Sequence, residues 1–146
     1  DTQDPRLNTL SKLNCIAACI EADHLGYDEG LMLDENGNVS TCNSTNFFIA
    51  RDNEVWTSQG KYCLPGVTRG NIIRLCEEND IPVFQKDFLV EEVHSADEAF
   101  VTGTFAGVIP VTEVDGHELS GGKRGDMTER LQQLYIELIK RECKSD

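Results

Sequence analysis

Two stretches of this sequence combine glycine, threonine and a helix start in the way an anion site requires. The first is Cys63-Leu64-Pro65-Gly66-Val67-Thr68-Arg69-Gly70, which runs into Asn71-Ile72-Ile73-Arg74-Leu75-Cys76-Glu77-Glu78-Asn79. Pro65 and Gly66 break the chain, and Thr68 is placed to cap a helix whose apolar face is Ile72, Ile73, Leu75 and Cys76. Gly66 lets a ligand approach the backbone. The free N–H groups around Val67 and Thr68, with the positive end of the helix dipole, suit a phosphate. A capped loop that binds nothing has the same local pattern. The second stretch, Val101-Thr102-Gly103-Thr104-Phe105-Ala106-Gly107, reads as another Gly/Thr anion loop at a strand end.

At 146 residues the chain is one domain in size, residues 1–146, and large enough to bury a core. Apolar residues make up 39% and charged residues 27%, the balance of an ordinary globular chain. A net charge of −13 argues against nucleic acid and anionic membrane as partners. It also means that a phosphate must be held by local donors. No apolar run is long enough to span a bilayer, and no signal-peptide pattern opens the chain. Asp1 stands where an initiator Met is expected, which suggests a fragment or a processed chain.

The six cysteines are Cys15, Cys19, Cys42, Cys63, Cys76 and Cys143. Cys15 and Cys19 lack a matching second ligand pair, which argues against zinc. The set reads mostly as small buried hydrophobes in a reducing compartment, hence the cytoplasm. His24, His94 and His117 fall in separate polar contexts and suggest neither a metal site nor a dyad. Glu77-Glu78 and Glu91-Glu92 read as solvated faces, and Trp56 as a core residue.

Periodicity supplies the elements that position these loops. Ser11 is expected to cap a helix to about Asp23, with Leu13, Ile16, Ala17 and Ile20 on one apolar face. Gly30–Asp34 and Val39–Cys42 flank Asn36-Gly37 and predict a hairpin. Asn46–Ala50 and Val55–Thr57 form another pair of strands. Ile81–Gln85 reads as a strand that Pro82 pushes to an edge. Val90–His94 suggests a helical turn, and Glu98–Thr102 a buried strand. Val108–Val114 turns at Asp115-Gly116, and Asp126 caps a last helix to about Cys143, with Met127, Leu131, Leu134, Tyr135 and Leu138 inward. Hairpins mixed with separate helices mean an α+β fold.

Taken together, Gly30-Leu31-Met32-Leu33-Asp34, Asn46-Phe47-Phe48-Ile49, Leu64–Gly70, Ala96–Thr104 and Pro110-Val111 with Asp115-Gly116 resemble the larger, C-terminal domain of fold type IV pyridoxal-phosphate enzymes. That family includes branched-chain and D-amino-acid aminotransferases and aminodeoxychorismate lyase. The motifs run in family order over nearly the whole chain. The resemblance implies an α+β domain with a mixed or antiparallel, barrel-like sheet and flanking helices. It implies pyridoxal 5′-phosphate as cofactor, an amino acid and a 2-keto acid as substrates, and a homodimer. It assigns Gly66, Val67, Thr68 and Thr104 to the cofactor phosphate, and Phe105 and Ala106 to the substrate carboxylate. The family's smaller N-terminal domain lies outside this sequence.

Three positions depart from the family pattern. Asn8 stands where the family has the lysine that forms an imine with the cofactor, and asparagine cannot form one. Lys12 follows four residues later. That displacement is roughly 13 Å in extended chain but only about 6 Å along a helix, within reach of a lysine stem. Lys12 is therefore the candidate catalytic amine; a solvated first-turn lysine is the alternative. Thr41 takes the place of the glutamate that holds the pyridinium N–H, which makes the cofactor a weaker electron sink. Gly107 stands where many members carry Glu, a change of packing or substrate shape. These departures leave open a non-catalytic relative that keeps the phosphate cup, and a lyase of the aminodeoxychorismate type.

Overall fold

A computed structural model describes Arg6 and residues 12–143. Its centre is a five-stranded sheet in the order β5-β4-β3-β6-β7. The strands are β3 (Asn46–Arg51), β4 (Glu54–Thr57), β5 (Val83–Gln85), β6 (Glu98–Gly103) and β7 (Gly107–Val111). β3 pairs antiparallel with both β4 and β6, and β6 with β7; β4 and β5 run parallel. A separate hairpin joins β1 (Leu31–Leu33) to β2 (Val39–Cys42), and a second joins β8 (Glu113–Val114) to β9 (His117–Glu118). The helices are α1 (Leu13–Leu25), α2 (Val67–Glu78), the short α3 (Val90–His94) and α4 (Asp126–Glu142).

Strand alternation divides the core in two. Phe48, Val55, Phe100 and Val108 face α2 and α4, where they meet Ile72, Ile73, Leu75, Cys76, Leu131 and Leu138. Phe48 and Phe100 are register partners, and their rings stack at 4.9 Å between centroids. Phe47, Ile49, Trp56, Ala99 and Val101 face the other way, against Val39, Phe88, Val93, Val114 and Leu119. The α+β class holds, but the barrel does not. The sheet stays open because its second face is covered by the two small hairpins, Phe88 and α3 rather than by closure of its own edges.

Most predicted elements form where the pattern placed them. Asp34 accepts the Asn36 and Asn38 N–H groups and so shapes the Asn-Gly turn, with Gly37 at φ +82°. β5 is an edge strand, as Pro82 implied. The inward face of α4 is also as read, with Leu131 and Leu138 buried and Met127, Leu134 and Tyr135 packed beside them.

Three expectations are corrected. The apolar face of α1 points outward: Leu13 is 75% exposed, and Ile16, Ala17 and Ile20 are exposed too. The helix packs through its opposite, small-residue side, where Ala22 is buried and Ala18 lies so close to Gly30 that a β-carbon there would meet its carbonyl at 2.9 Å. The expected Ser11 cap lies outside the described residues. His94 and His117, read as distant, stack ring on ring at 3.8 Å because α3 and β9 meet on the same side of the sheet. Of the cysteines, Cys42, Cys63 and Cys76 are buried, whereas Cys19 and Cys143 are exposed.

The N-cap position of α4 is Gly125, not Asp126, and the acceptor comes from elsewhere in the fold. The buried Glu98 carboxylate accepts Met127 N–H at 2.9 Å, Thr128 N–H at 2.8 Å and the Thr128 hydroxyl at 2.7 Å. A side chain at Gly125 would collide with that carboxyl. Glu98→Ala removes a charged acceptor from three donors and should lower stability by about 2 kcal/mol. Urea titration would show this as a lower midpoint at unchanged slope; an unmoved midpoint would mean that the cap is not needed. Thiols give a second check. Burial pushes Cys76 up to about 12 and also raises Cys42. At pH 8 a thiol reagent should label Cys19 and Cys143 in the native chain, and Cys42, Cys63 and Cys76 only after unfolding.

Candidate functional site

Both Gly/Thr loops lie at one end of the sheet. β3 begins at Asn46, whose partner across the ladder is Thr102, one residue before the Gly103 end of β6. Asn46 donates through Nδ2 to Leu64 O at 3.0 Å, which ties the Leu64-Pro65-Gly66 loop to the same corner. A β-carbon at Gly66 would run into Asn46 Oδ1, so any side chain there would have to displace the Asn46 amide from its bond to Leu64 O. Gly66 is the N-cap residue of α2, and Thr68 lies inside its first turn rather than capping it. The sequence placed the cap two residues late, because the spacing does not show that Asn46 occupies the space beside Gly66.

The first turn of α2 thus has no side-chain cap and no acidic residue. Its N–H groups at Val67 and Thr68 point their partial positive charge at whatever lies beyond the helix end. Val67 is 75% exposed, while Thr68 is buried with its hydroxyl 3.4 Å from Tyr135 Oη. Arg69, also buried, donates to Ser58 O at 2.7 Å and Gln85 Oε1 at 3.0 Å. Burial lowers its pKa, and among the described residues no carboxylate pairs with it. A cation without a counter-charge therefore sits one residue from Thr68, in a chain whose overall charge repels anions.

The second loop is the turn Thr104-Phe105-Ala106 between β6 and β7, closed by the Gly103–Gly107 pair. All three turn residues are exposed, and Gly107 takes φ +67°. A β-carbon at 107 would lie in ordinary contact with the Tyr135 ring, at 3.4 Å, so it is the left-handed backbone rather than lack of space that favours glycine there. One turn earlier on α4, Gln132 Nε2 donates to Val108 O at 2.8 Å. Tyr135 therefore touches both loops, its hydroxyl at Thr68 and its ring at Gly107. Beside them, the Thr102 hydroxyl is buried and has no hydrogen-bond partner.

Thr41 reaches the same corner. Its hydroxyl donates to Thr45 O at 2.8 Å, and the Thr45 methyl lies 3.3 Å from where a Gly103 β-carbon would be. Glu29 in turn accepts the Thr45 hydroxyl at 2.5 Å and also takes the Ser44 hydroxyl. Lys12 is exposed at the N-cap position of α1, and its carbonyl accepts the first helical N–H, from Ile16, at 2.9 Å. Asn8 lies outside the described residues. Gly66, Val67, Thr68, Thr104, Phe105, Ala106 and Thr41 are thus gathered around one corner of the sheet, while no described contact brings Lys12 to it.

Asn46, Arg69 and Tyr135 belong to this corner but carry no chemistry in the linear reading. Tyr135 was legible as an inward residue of α4; its reach to Thr68 depends on how α4 crosses α2. Asn46 was the one polar residue opening an apolar strand, a signal that could have singled it out.

An uncapped helix start, a neighbouring cation and an orphaned buried hydroxyl fit a phosphate group. Comparison with known proteins gives the family. The family described as amino-transferase class IV matches residues 1–114. The branched-chain-amino-acid aminotransferase of Pseudomonas aeruginosa is 41% identical over 127 residues, covering 87% of this chain and 41% of that protein. A D-alanine aminotransferase of Listeria monocytogenes is 37% identical over 106 residues, covering 72% of this chain and 37% of that protein. In structure, the branched-chain amino acid aminotransferase from Thermobaculum terrenum in its PLP-form (holo-form) superposes with a TM-score of 0.89 at 31% identity. The match covers 94% of this chain and 46% of that one. The chain spans less than half the length of these relatives. Family profile, sequence identity and fold agree, and the chain belongs to the class IV aminotransferases.

Proposed function

We propose that this chain is the cofactor-binding part of an aminotransferase that uses pyridoxal 5′-phosphate to move an amino group between an amino acid and a 2-keto acid. The observation that carries the reading is the convergence of two turns, Gly66–Thr68 and Thr104–Ala106, around Tyr135 in a chain of this family. Branched-chain-like substrates are the reading that the named relatives favour. The cytoplasm is the corresponding compartment; no helix of the described residues is long and apolar enough to cross a membrane.

In this scheme the Val67 and Thr68 N–H groups, with the Thr68 and Thr104 hydroxyls, hold the phosphate, and Gly66 admits it to the backbone. Arg69, largely buried, adds positive potential. The Phe105 and Ala106 amides, on an exposed turn, receive the substrate carboxylate. Bound pyridoxal 5′-phosphate would supply an aldehyde for amino groups and an electron-withdrawing ring. The Thr41 hydroxyl has its proton engaged by Thr45 O, so its lone pairs face outward as a neutral acceptor. Such an acceptor holds a ring proton less firmly than a carboxylate. Lys12, the nearest amine along the chain to Asn8, is the residue we assign to covalent attachment and to proton transfer at Nζ.

We assign the outward apolar face of α1 to a homodimer contact, since Leu13, Ile16 and Ile20 stay exposed in the single chain. Ile16→Glu should shift the chain from dimer to monomer in sedimentation equilibrium; a wild type that sediments as a monomer would refute the contact.

The test of the functional reading is to mix the chain with pyridoxal 5′-phosphate, reduce with borohydride and map the peptides. A visible absorbance band and a stable adduct on Lys12 are expected. Phosphate-competitive binding without band or adduct would overturn the aminotransferase reading and leave a phosphate cup without that chemistry.

A further inference from the structure

We propose that Tyr135 is a positioning residue of the phosphate subsite, acting through the proton of Thr68. The inference rests on the functional reading above and adds a residue to it.

Thr68 has one hydroxyl proton and two lone pairs. A threonine inside a helix can send that proton back to a carbonyl three or four residues earlier; for Thr68, in the first turn of α2, the fourth-back acceptor is Leu64 O, ahead of the Gly66 N-cap. That oxygen is already taken, by Asn46 Nδ2 at 3.0 Å and Gly66 N at 2.8 Å. The remaining neighbour is Tyr135 Oη, 3.4 Å away. Thr68 is buried, so bulk water does not serve it.

A phosphate offers only acceptors, so Thr68 must donate to it. The bond to Tyr135 then has one consistent direction: Tyr135 Oη–H donates to Thr68 Oγ1, and the Thr68 proton turns to the phosphate. The contact tightens when the anion polarises the chain of hydroxyls. Tyr135 is held for this role from both sides. Its ring lies beside Gly107, within contact distance of a β-carbon placed there, and Gln132 fastens the same helix to Val108 O.

The test is a set of binding titrations on the full chain, with pyridoxal 5′-phosphate and with pyridoxal, which lacks the phosphate. Tyr135→Phe keeps the ring against Gly107 and removes only the hydroxyl. It should weaken pyridoxal 5′-phosphate about threefold to tenfold, the worth of one hydrogen bond, and leave pyridoxal unchanged. In a Thr68→Val background the same substitution should cost nothing further; in a Thr68→Ser background, which restores the hydroxyl, the loss should return. Unchanged binding by Tyr135→Phe, an equal loss for both probes, or an additive loss on top of Thr68→Val would each overturn the inference. A wild-type chain that binds pyridoxal 5′-phosphate no better than pyridoxal would overturn the phosphate reading itself, and the inference with it.

Discussion

The register of β3 against β6 is the constraint on which the site depends. Pairing Asn46 with Thr102 and Phe48 with Phe100 fixes which end of the sheet carries Gly103 and which face carries the stacked phenylalanines. A slip of one residue would put Phe48 and Phe100 on opposite faces of the sheet and, if β3 moved, turn Asn46 away from Gly66. The two loops are far apart along the chain and make few contacts of their own. They meet because a buried aromatic pair makes any other register costly.

Charge is handled in the same local way. The chain as a whole is strongly acidic, yet the corner holds a buried guanidinium and a helix start without a carboxylate. Arg69 donates through Nη2 to a carbonyl and an amide oxygen, which accept its hydrogen bonds without neutralising it, and its buried Nε has no partner among the described residues. Pairing it with Asp or Glu would have steadied the loop equally well and cancelled the field. At the other end of the sheet the opposite choice is made: Glu98 places a full negative charge on the start of α4 and closes that helix end to any outside anion.

Much of this was legible in the linear chain, for reasons that differ by element. α4 and the strands declared themselves because their apolar periodicity matches what they bury, and Asn36-Gly37 because its turn tolerates few other residues. The two Gly/Thr turns were legible as turns because glycine, threonine and a helix start are local features. α1 misled because periodicity reports an apolar face without saying what covers it; the body of the chain takes the Ala18 and Ala22 side instead. The cap of α2 was misplaced, and the cap of α4 was missed, because Asn46 and Glu98 act across distances in sequence that no window contains. Tyr135 belongs with them: its inward direction was readable, its partner was not.

The parallel pairing of β4 with β5 has a topological consequence. A hairpin reverses the chain within a few residues and delivers no helix. Parallel neighbours must be joined by a crossover, here residues 58–82 with α2 inside it. The crossover returns the chain to the start of β5 and so leaves the amino end of α2 near the carboxyl end of β4, where Arg69 binds Ser58 O. The position of the uncapped start of α2 is thus a by-product of one strand's direction. An insertion or permutation that made β5 antiparallel could keep every side chain of the corner and still abolish it.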